Sequence, residues 1–305
     1  MMSNFENVAV FMGGWSAERE ISLNSGQAVY EALKKQGVKV TAIDVGRDIC
    51  QQLREGDFSH VFNVLHGRGG EDGVIQGLLD VLEMPYTGSG VLGSSLAMDK
   101  SRCKQLWRGM GLPTPDFIEL KNESDCDRAL DALGLPLMIK PVLEGSSIGI
   151  SKVNSHDEMI PAWKKACDCG GVIMAEKFIQ GEEYTAAILG EQVLPMIRLE
   201  TDNEFYDYQA KYVSNDTRYI CPCGLDESFE TELAELMFKA FKAVMGEGWG
   251  RVDFMLDKDK HPWLIEVNMI PGMTDHSLVP MAAKQAGLTF ENLVLEILKG
   301  ASVHG

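Results

Sequence analysis

A candidate metal-binding hairpin lies near the C-terminal end of the sequence. Arg251 and Asp253 alternate with apolar residues, and so do Glu266 and Asn268 a few positions later. Alternation with period two predicts two β-strands, with residues 257–262 as the hairpin loop between them. Residues two apart in a strand share a face, so pairing of the strands would gather two carboxylates, an amide oxygen and a guanidinium.

The chemistry of this cluster suits a hard divalent cation. Carboxylate and amide oxygens are ligands that Mg²⁺ accepts, and water and substrate phosphates complete its octahedron. The Arg251 guanidinium fits an anion handled beside the ion. The turn at Pro271-Gly272 would bring backbone N–H groups to the same edge, where a developing oxyanion can be held. The alternative is a solvent-facing hairpin, because charged strand faces are common.

Composition limits the classes of protein that fit. The chain has 305 residues, 24% charged and 45% hydrophobic, which is typical of a soluble globular protein of two or three domains. Its net charge of −17 argues against nucleic acid or an anionic membrane as the main partner. The sequence has no apolar run long enough to span a bilayer and no signal-peptide pattern, so we expect a cytoplasmic protein. The seven cysteines lack zinc-site spacing and are expected to be reduced.

The first third of the sequence predicts a doubly wound α/β domain. An apolar strand at 8–12 ends in a Gly-Gly turn, and a helical pattern follows at about 23–36. In such domains ligands bind beyond the C-terminal ends of the strands. Glu18, at the helix start, either satisfies the helix dipole or binds a substrate ammonium. The glycine-rich loop 66–73 is either a loop that approaches a ligand or a flexible turn, and its charged residues favour the first.

Two segments in the middle of the chain have features of a nucleotide site. Lys140 ends a strand beside the small-residue loop 144–149, and this arrangement can grip phosphate. Around Glu176 an apolar strand becomes polar, which could serve an adenine edge, with Glu183 for the ribose hydroxyls. For each segment taken alone, the ordinary explanation is favoured: a hairpin for the first and a strand-turn-strand for the second. The long loop 206–217, with three tyrosines, has the length of a lid.

The motifs together resemble D-alanine:D-alanine ligases of the ATP-grasp superfamily. The matching motifs cover nearly the whole chain in order: Gly13-Gly-Trp-Ser-Ala-Glu-Arg-Glu20, His66-Gly-Arg-Gly-Gly-Glu-Asp-Gly73, Met98-Asp-Lys100, Lys140-Pro, Glu144-Gly-Ser-Ser147, Tyr206-Asp-Tyr-Gln-Ala-Lys-Tyr212, Arg251-Val-Asp253, Glu266-Val-Asn268 and Pro271-Gly-Met-Thr-Asp-His-Ser277. The resemblance implies an α/β (α+β multidomain) ATP-grasp fold. Its parts would be a doubly wound N-terminal substrate-binding domain at 1–98, a central lid domain at 99–180 and a C-terminal catalytic domain, carrying metal and ATP, at 181–305.

The resemblance implies ligation of two D-alanines at the expense of ATP. ATP would phosphorylate the carboxylate of the first D-alanine, and the amine of the second would attack the acyl phosphate and expel phosphate. The product is a building block of bacterial peptidoglycan. The implied cofactors are ATP and two Mg²⁺ ions, with Mn²⁺ able to replace Mg²⁺. The implied form is a cytoplasmic homodimer that binds neither nucleic acid nor membrane.

The resemblance also assigns roles to individual residues. Glu18 would pair with the first ammonium, supported by Ser146 and Tyr212. His66 would orient the substrates, Ser277 would hold the second carboxylate, and the Lys211-Tyr212 pair would favour alanine over lactate. The residues expected to contact ATP are Lys100, Lys140 and Lys211 at the phosphates and Glu176, Lys177, Ile179 and Glu183 at adenine and ribose. The expected metal ligands are Asp253, Glu266 and Asn268, and the expected oxyanion donors are Arg251 and the Gly272 N–H.

One departure from the family pattern and two rival functions stay open at this point. Met269-Ile270 are apolar where the family commonly has small polar residues, so we expect repacking behind the metal site. One rival is another ATP-grasp ligase, which Glu18, Tyr212 and Ser277 argue against. The other is a non-catalytic nucleotide-binding regulator, which the intact set of metal ligands and oxyanion donors argues against.

Overall fold

Three β-sheets covered by helices make up the part of the chain that the computed structural model describes, residues 5–145, 148–200 and 217–304. The strands in these ranges are β1 (Val8–Met12), β2 (Val40–Asp44), β3 (His60–Asn63), β4 (Phe117–Leu120), β5 (Leu137–Pro141), β6 (Ser151–Val153), β7 (Ile173–Lys177), β8 (Gly181–Leu189), β9 (Gln192–Val193), β10 (Ile197–Glu200), β11 (Arg218–Ile220), β12 (Trp249–Asp257) and β13 (Pro262–Asn268). The helices are α1 (Arg19–Lys35), α2 (Ile49–Glu55), α3 (Val74–Val81), α4 (Val91–Met98), α5 (Lys100–Gly109), α6 (Asp125–Leu133), α7 (His156–Cys167), α8 (Glu227–Ala243), α9 (Leu278–Gln285) and α10 (Phe290–Lys299).

The N-terminal sheet is parallel, with β1 between β2 and β3. All five residues of β1 are apolar and buried, as expected of a parallel strand covered on both faces. Its side chains alternate between two cores: Val8 and Val10 belong to the large core shared with the C-terminal sheet, and Ala9 and Phe11 to a smaller one. Helix α1 begins soon after the Gly-Gly turn, with Glu18 at its N-cap position.

The central sheet is antiparallel, in the order β4-β7-β5-β6, and has its own core with α6 and α7. Strands β5 and β6 pair with Leu137 opposite Val153, which confirms the predicted hairpin around residues 144–149. Strand β7 continues through a short connection into β8, so the central sheet leads directly into the C-terminal sheet.

The C-terminal sheet contains the predicted hairpin. Its order is β11-β10-β8-β12-β13, with β9 beside β8. Strands β12 and β13 are antiparallel, with Arg251 opposite Asn268 and Asp253 opposite Glu266. The predicted pairing is therefore confirmed, and the four polar residues share one face. The register shifts just beyond Asp253, and such a bulge turns the strand next to a site.

Helix α5 connects the parts of the fold. Its Trp107 is fully buried in the large core, and the indole Nε1 donates to the Ala240 carbonyl of α8 at 2.9 Å. Met110, which follows directly after this helix, is exposed. The domain boundaries at 98/99 and 180/181 stay predictions. Among the described residues, no helix combines the length and the apolar character that crossing a bilayer requires.

Candidate active site

The carboxylate of Asp253 is the most constrained group on the hairpin. Arg251 donates to both of its oxygens, from Nε to Oδ1 at 2.8 Å and from a terminal nitrogen to Oδ2 at 2.7 Å. The Asn268 amide donates to Oδ2 at 3.0 Å, and the Thr185 hydroxyl of β8 donates to Oδ1 at 2.6 Å. Bidentate pairing fixes the plane of the carboxylate. Thr185 was not predicted, and it reaches the site because it lies opposite Asp253 in the sheet.

Lys100 joins the hairpin to the small-residue loop of the central sheet. Its Nζ lies 3.3 Å from Glu266 Oε2 and donates to the Glu144 carbonyl at 2.8 Å. A cation is thereby held beside the predicted metal ligands. Residues from all three sheet regions line the cleft at this point: Glu71, Ala97, Met98, Lys100, Gly145, Glu266, Val267, Asn268 and Met269.

Two loops close around Glu18 at the far side of this cleft. A methyl group on Gly145 would lie 3.0 Å from both Glu18 carboxylate oxygens, and one on Gly67 would lie 2.7 Å from Oε2. The two backbones approach the carboxylate so closely that any side chain there would displace it. The Glu18 side chain makes no capping hydrogen bond to α1, although the Glu18 carbonyl accepts from the Ser22 N–H at 3.0 Å. Arg68 bridges the same two loops through Glu144 at 3.1 Å.

His66 is buried behind the cleft and connects to the turn after β13. Its Nε2 lies 3.2 Å from the Ser25 hydroxyl, and its Nδ1 lies 3.8 Å from Glu71 Oε1. The same Ser25 oxygen accepts from the Met273 N–H at 3.1 Å. A single buried hydroxyl from α1 therefore contacts both His66 and the turn that contains the predicted oxyanion donor.

The other end of that turn is held by Ser277. Its hydroxyl oxygen accepts from the Thr274 N–H at 2.9 Å, and its own N–H donates back to the Thr274 carbonyl at 3.0 Å. Gly272 lies against it, since a methyl group there would be 2.9 Å from the Ser277 hydroxyl. The structure thus brings Ser277 and Gly272 together at the start of α9.

A buried ion cluster lies at the predicted nucleotide side. Glu176 Oε1 accepts from Lys140 Nζ at 2.6 Å, and Glu176 Oε2 lies 2.6 Å from Lys104 Nζ. Burial alone would raise the pKa of Glu176, but the two ammonium groups hold it below its ordinary value. Burial lowers the pKa of Lys104 to about 8, against the attraction of Glu176. Lys104 was not predicted as a site residue.

The remaining predicted adenine and ribose residues lie where β7 passes into β8. Lys177 is exposed at the end of β7, and Ile179 and Glu183 are half-buried in the connection and in β8. The Lys177 N–H donates to the Asp116 carbonyl at 2.8 Å, which ties this junction to the linker before β4. These residues therefore lie at the junction between β7 and β8, directly after Glu176 in the sequence.

Three predicted site residues lie outside the described part of the chain. They are Ser146, Lys211 and Tyr212. The predicted lid at 206–217 lies outside it as well, except for Thr217. Their roles stay predictions.

The donor chemistry of the hairpin fits a magnesium ion. Asp253, Glu266 and Asn268 offer oxygen atoms on one sheet face, as the paired register requires. Only two of them are carboxylates, so substrate phosphates and water would complete the coordination. Among the described residues, a group of three acidic or histidine side chains close enough to share one metal ion lies elsewhere, at the hairpin loop. It consists of Asp257, Asp259 and His261. That group lies at the opposite end of the strands from Asn268.

The apolar pair Met269-Ile270 is packed into the large core. Both side chains are 2% exposed, and the Met269 sulfur accepts from the Ser89 hydroxyl at 3.2 Å. The apolar residues thus fill space directly behind the end of β13.

Known proteins share this architecture. The D-alanine–D-alanine ligase of Bacillus anthracis complexed with ATP superposes with a TM-score of 0.84 at 34% identity, covering 98% of this chain and 97% of that one. The chain is therefore an enzyme of the ATP-grasp class. Family models described as D-ala D-ala ligase C-terminus and N-terminus match residues 106–299 and 48–89. D-alanine–D-alanine ligases of Nitrosococcus oceani and Methylococcus capsulatus are 55% and 54% identical, covering 95% and 97% of this chain and 92% and 96% of theirs. The chain belongs to the D-alanine–D-alanine ligase family.

Proposed function

We propose that the protein joins two D-alanine molecules into D-alanyl-D-alanine for peptidoglycan synthesis, with ATP converted to ADP and phosphate. The observation that supports this most is the register of the hairpin. It sets Asp253 beside Glu266 on a face that borders the cleft, and Lys100 spans from Glu266 to the loop that closes on Glu18. Phosphate chemistry and amino-acid binding can therefore occur within one cleft.

In the first step, Glu18 pairs with the ammonium of the first D-alanine. The carboxylate of this D-alanine then attacks the γ-phosphorus of ATP. The bond from that phosphorus to the oxygen bridging the β- and γ-phosphates breaks, which yields D-alanyl phosphate and ADP. Lys100 and Lys140, together with Lys211, neutralise phosphate charge. Ser146 and Tyr212 support Glu18, and His66 orients the substrates. Lys177, Ile179 and Glu183 hold the adenine and ribose beside Glu176.

In the second step, the amine of the second D-alanine attacks the carbonyl carbon of the acyl phosphate. Ser277 holds the carboxylate of this second substrate. Charge develops on the carbonyl oxygen, where the Arg251 guanidinium and the Gly272 N–H stabilise it. The carbon–oxygen bond to phosphate then breaks. The attacking nitrogen arrives as an ammonium, so it loses one proton before it attacks and a second one as the amide forms.

The proposed cofactor is a pair of Mg²⁺ ions, replaceable by Mn²⁺, held by Asp253, Glu266 and Asn268. When bound, the ions disperse the charge of the β- and γ-phosphates during transfer. Arg251 keeps Asp253 oriented toward this face, and Lys100 does the same for Glu266. We place the reaction in the cytoplasm, since ATP is the co-substrate.

The proposal predicts phosphate release from ATP and Mg²⁺ only when D-alanine is added. L-alanine and D-lactate serve as alternative substrates in separate reactions, and the product is checked by mass. Glu266→Gln should lower the rate by roughly 100-fold or more, because a charged ligand for the phosphate-bound ions is lost.

Asp259→Asn is the matched control, because Asp259 is an exposed carboxylate on the loop of the same hairpin. It should keep the full rate. Release with L-alanine or D-lactate in place of D-alanine would instead indicate another ATP-grasp ligase. If none of the three compounds triggers phosphate release although the protein binds ATP, the result would favour a non-catalytic nucleotide-binding regulator.

The proposed form is a homodimer that needs neither nucleic acid nor a membrane. Its support is an apolar surface, here called the α3/α4 face, formed by Val74 and Val81 of α3 and Val91 and Leu92 of α4. These side chains are 58%, 82%, 40% and 58% exposed. The two helices are neighbours, and exposed apolar residues on adjacent helices are typical of association surfaces.

A further inference from the structure

The Lys104 side chain is fully buried in the middle of the fold. Its ammonium lies 2.6 Å from Glu176 Oε2 and donates to the Thr114 hydroxyl at 2.9 Å and to the Leu264 carbonyl at 3.1 Å. These three oxygens come from the central sheet, the linker before β4, and β13. A lysine in α5 therefore joins the strand that carries Glu266 to the strand that carries Glu176.

The second oxygen of Glu176 pairs with Lys140, so one carboxylate lies between two ammonium groups. The Lys140 and Glu176 side chains are only 7% and 4% exposed, and that of Lys104 is 0% exposed. Two cations and one anion leave the cluster with a net charge of +1. Because Lys104 has no exposed surface and Lys140 has some, Lys140 is the one of the two ammonium groups that a ligand can contact directly.

We infer that Lys104 is a positioning residue for ATP binding: it balances the charge of Glu176, so that Lys140 retains a net positive charge for the nucleotide phosphates. This inference rests on the proposed function, which places ATP phosphates at Lys140. Without Lys104, Glu176 and Lys140 would form a neutral buried pair. Such a pair attracts an anion far less than a net cation does, because little water screens charges there.

A competing explanation is that Lys104 only fastens β13 and the linker through Leu264 and Thr114. The two explanations differ in what happens when Glu176 also loses its charge. Lys104→Met leaves the cluster neutral, but Lys104→Met combined with Glu176→Gln restores +1, which then resides on Lys140. Both variants lose the same contacts to Leu264 and Thr114.

The test is calorimetric titration of the intact protein with ATP and Mg²⁺ in the absence of D-alanine. Lys104→Met should weaken ATP binding by roughly 10- to 100-fold, as expected for the loss of one charge in a buried phosphate site. The double variant should bind ATP within about threefold of Glu176→Gln alone, which is its reference because Glu176 itself borders the proposed adenine site. The KM for D-alanine should change less than twofold in either, because Lys104 does not touch the Glu18 end of the cleft.

Arg108→Met is the matched control, since Arg108 is a cation one turn further along α5 that pairs with Asp116 at the surface. It should bind ATP as the wild type does. Unchanged ATP affinity in Lys104→Met overturns the inference. So does a double variant that is weakened relative to Glu176→Gln as much as Lys104→Met is weakened relative to the wild type. If Lys104→Met fails to fold, the comparison of the double variant with Glu176→Gln decides alone, and weakening of more than tenfold overturns the inference. A wild type that binds ATP but releases no phosphate with D-alanine would contradict the proposed function but not the inference about Lys104.

Discussion

At the scale of single residues, the site depends on buried polar side chains that hold other groups in place. Ser25 is an example: it is fully buried, and its hydroxyl lies between the His66 ring and the Met273 N–H. Removing a partner from a buried donor costs about 1–3 kcal/mol, and a small shift of the turn would displace the Gly272 N–H.

Ser25→Ala should therefore lower the turnover number roughly tenfold as well as the free energy of unfolding, because the oxyanion turn loses its anchor. Steady-state kinetics and urea denaturation measure the two effects. Ser22→Ala is the control, since Ser22 is equally buried in the same helix but donates to the Val64 carbonyl. It should lose stability while keeping its turnover number. Equal losses of turnover in both variants would show that Ser25 is merely structural.

The sequence did not reveal the buried polar residues that hold other groups of the site in place. Lys104 and Ser25 are polar residues in helical segments, where polarity predicts exposure, yet both are fully buried. Their roles come from tertiary contacts with Leu264 and Met273, more than 150 positions away. Asp253 and Glu266 were predictable, because both lie in a local hairpin whose alternation fixes the shared face.

At the scale of elements, strands with a strong pattern were predicted best. The apolar run of β1 reflects a strand that is buried on both faces. The alternation in β12 and β13 reflects strands with one apolar face and one polar face. Helices α2 and α6 and strand β4 were not assigned. The first and the last are short, whereas α6 was missed although its apolar residues at 126, 129, 130 and 133 recur with helical spacing. The exact start of α1 at Arg19 precedes the predicted start, since the apolar pattern begins only after the first turn.

The packing of α1 on β1 gives a prediction for a whole element. A methyl group on Gly26 of α1 would lie 2.3 Å from the Met12 Cβ, so the helix rests directly on the strand. Gly26→Ala should lower the free energy of unfolding by about 1–3 kcal/mol through overpacking, despite alanine's better helix propensity.

Urea denaturation measures this loss against Gly109→Ala, a helical glycine in α5 with no heavy atom within 4 Å of the added methyl group. The control should leave stability unchanged or raise it by about 0.5–1 kcal/mol. Equal stability of the two variants would mean that α1 can move away from β1 without cost.

At the scale of the whole molecule, the charge distribution explains how an acidic protein can bind anions. The net charge is −17, yet Lys100, Lys140 and Lys104 are gathered at the meeting point of the central and C-terminal sheets. Glu176 offsets only one of the two cations it contacts. Local fields in a cleft shielded from water outweigh distant surface charge, which salt screens.

The outer surface of the molecule supports a final prediction, about assembly. The α3/α4 face exposes Val81 and Leu92, and a two-fold axis through it would bury the same apolar residues from both copies. Light scattering should therefore give twice the mass of one chain for the wild type.

The combined change Val81→Glu and Leu92→Glu should give the mass of one chain at the same concentration, because four buried charges would oppose pairing. Met110→Glu, at an exposed apolar residue just after α5, should keep the doubled mass. A wild type with the mass of one chain would contradict the homodimer, and a doubled mass in the combined variant would place the interface elsewhere.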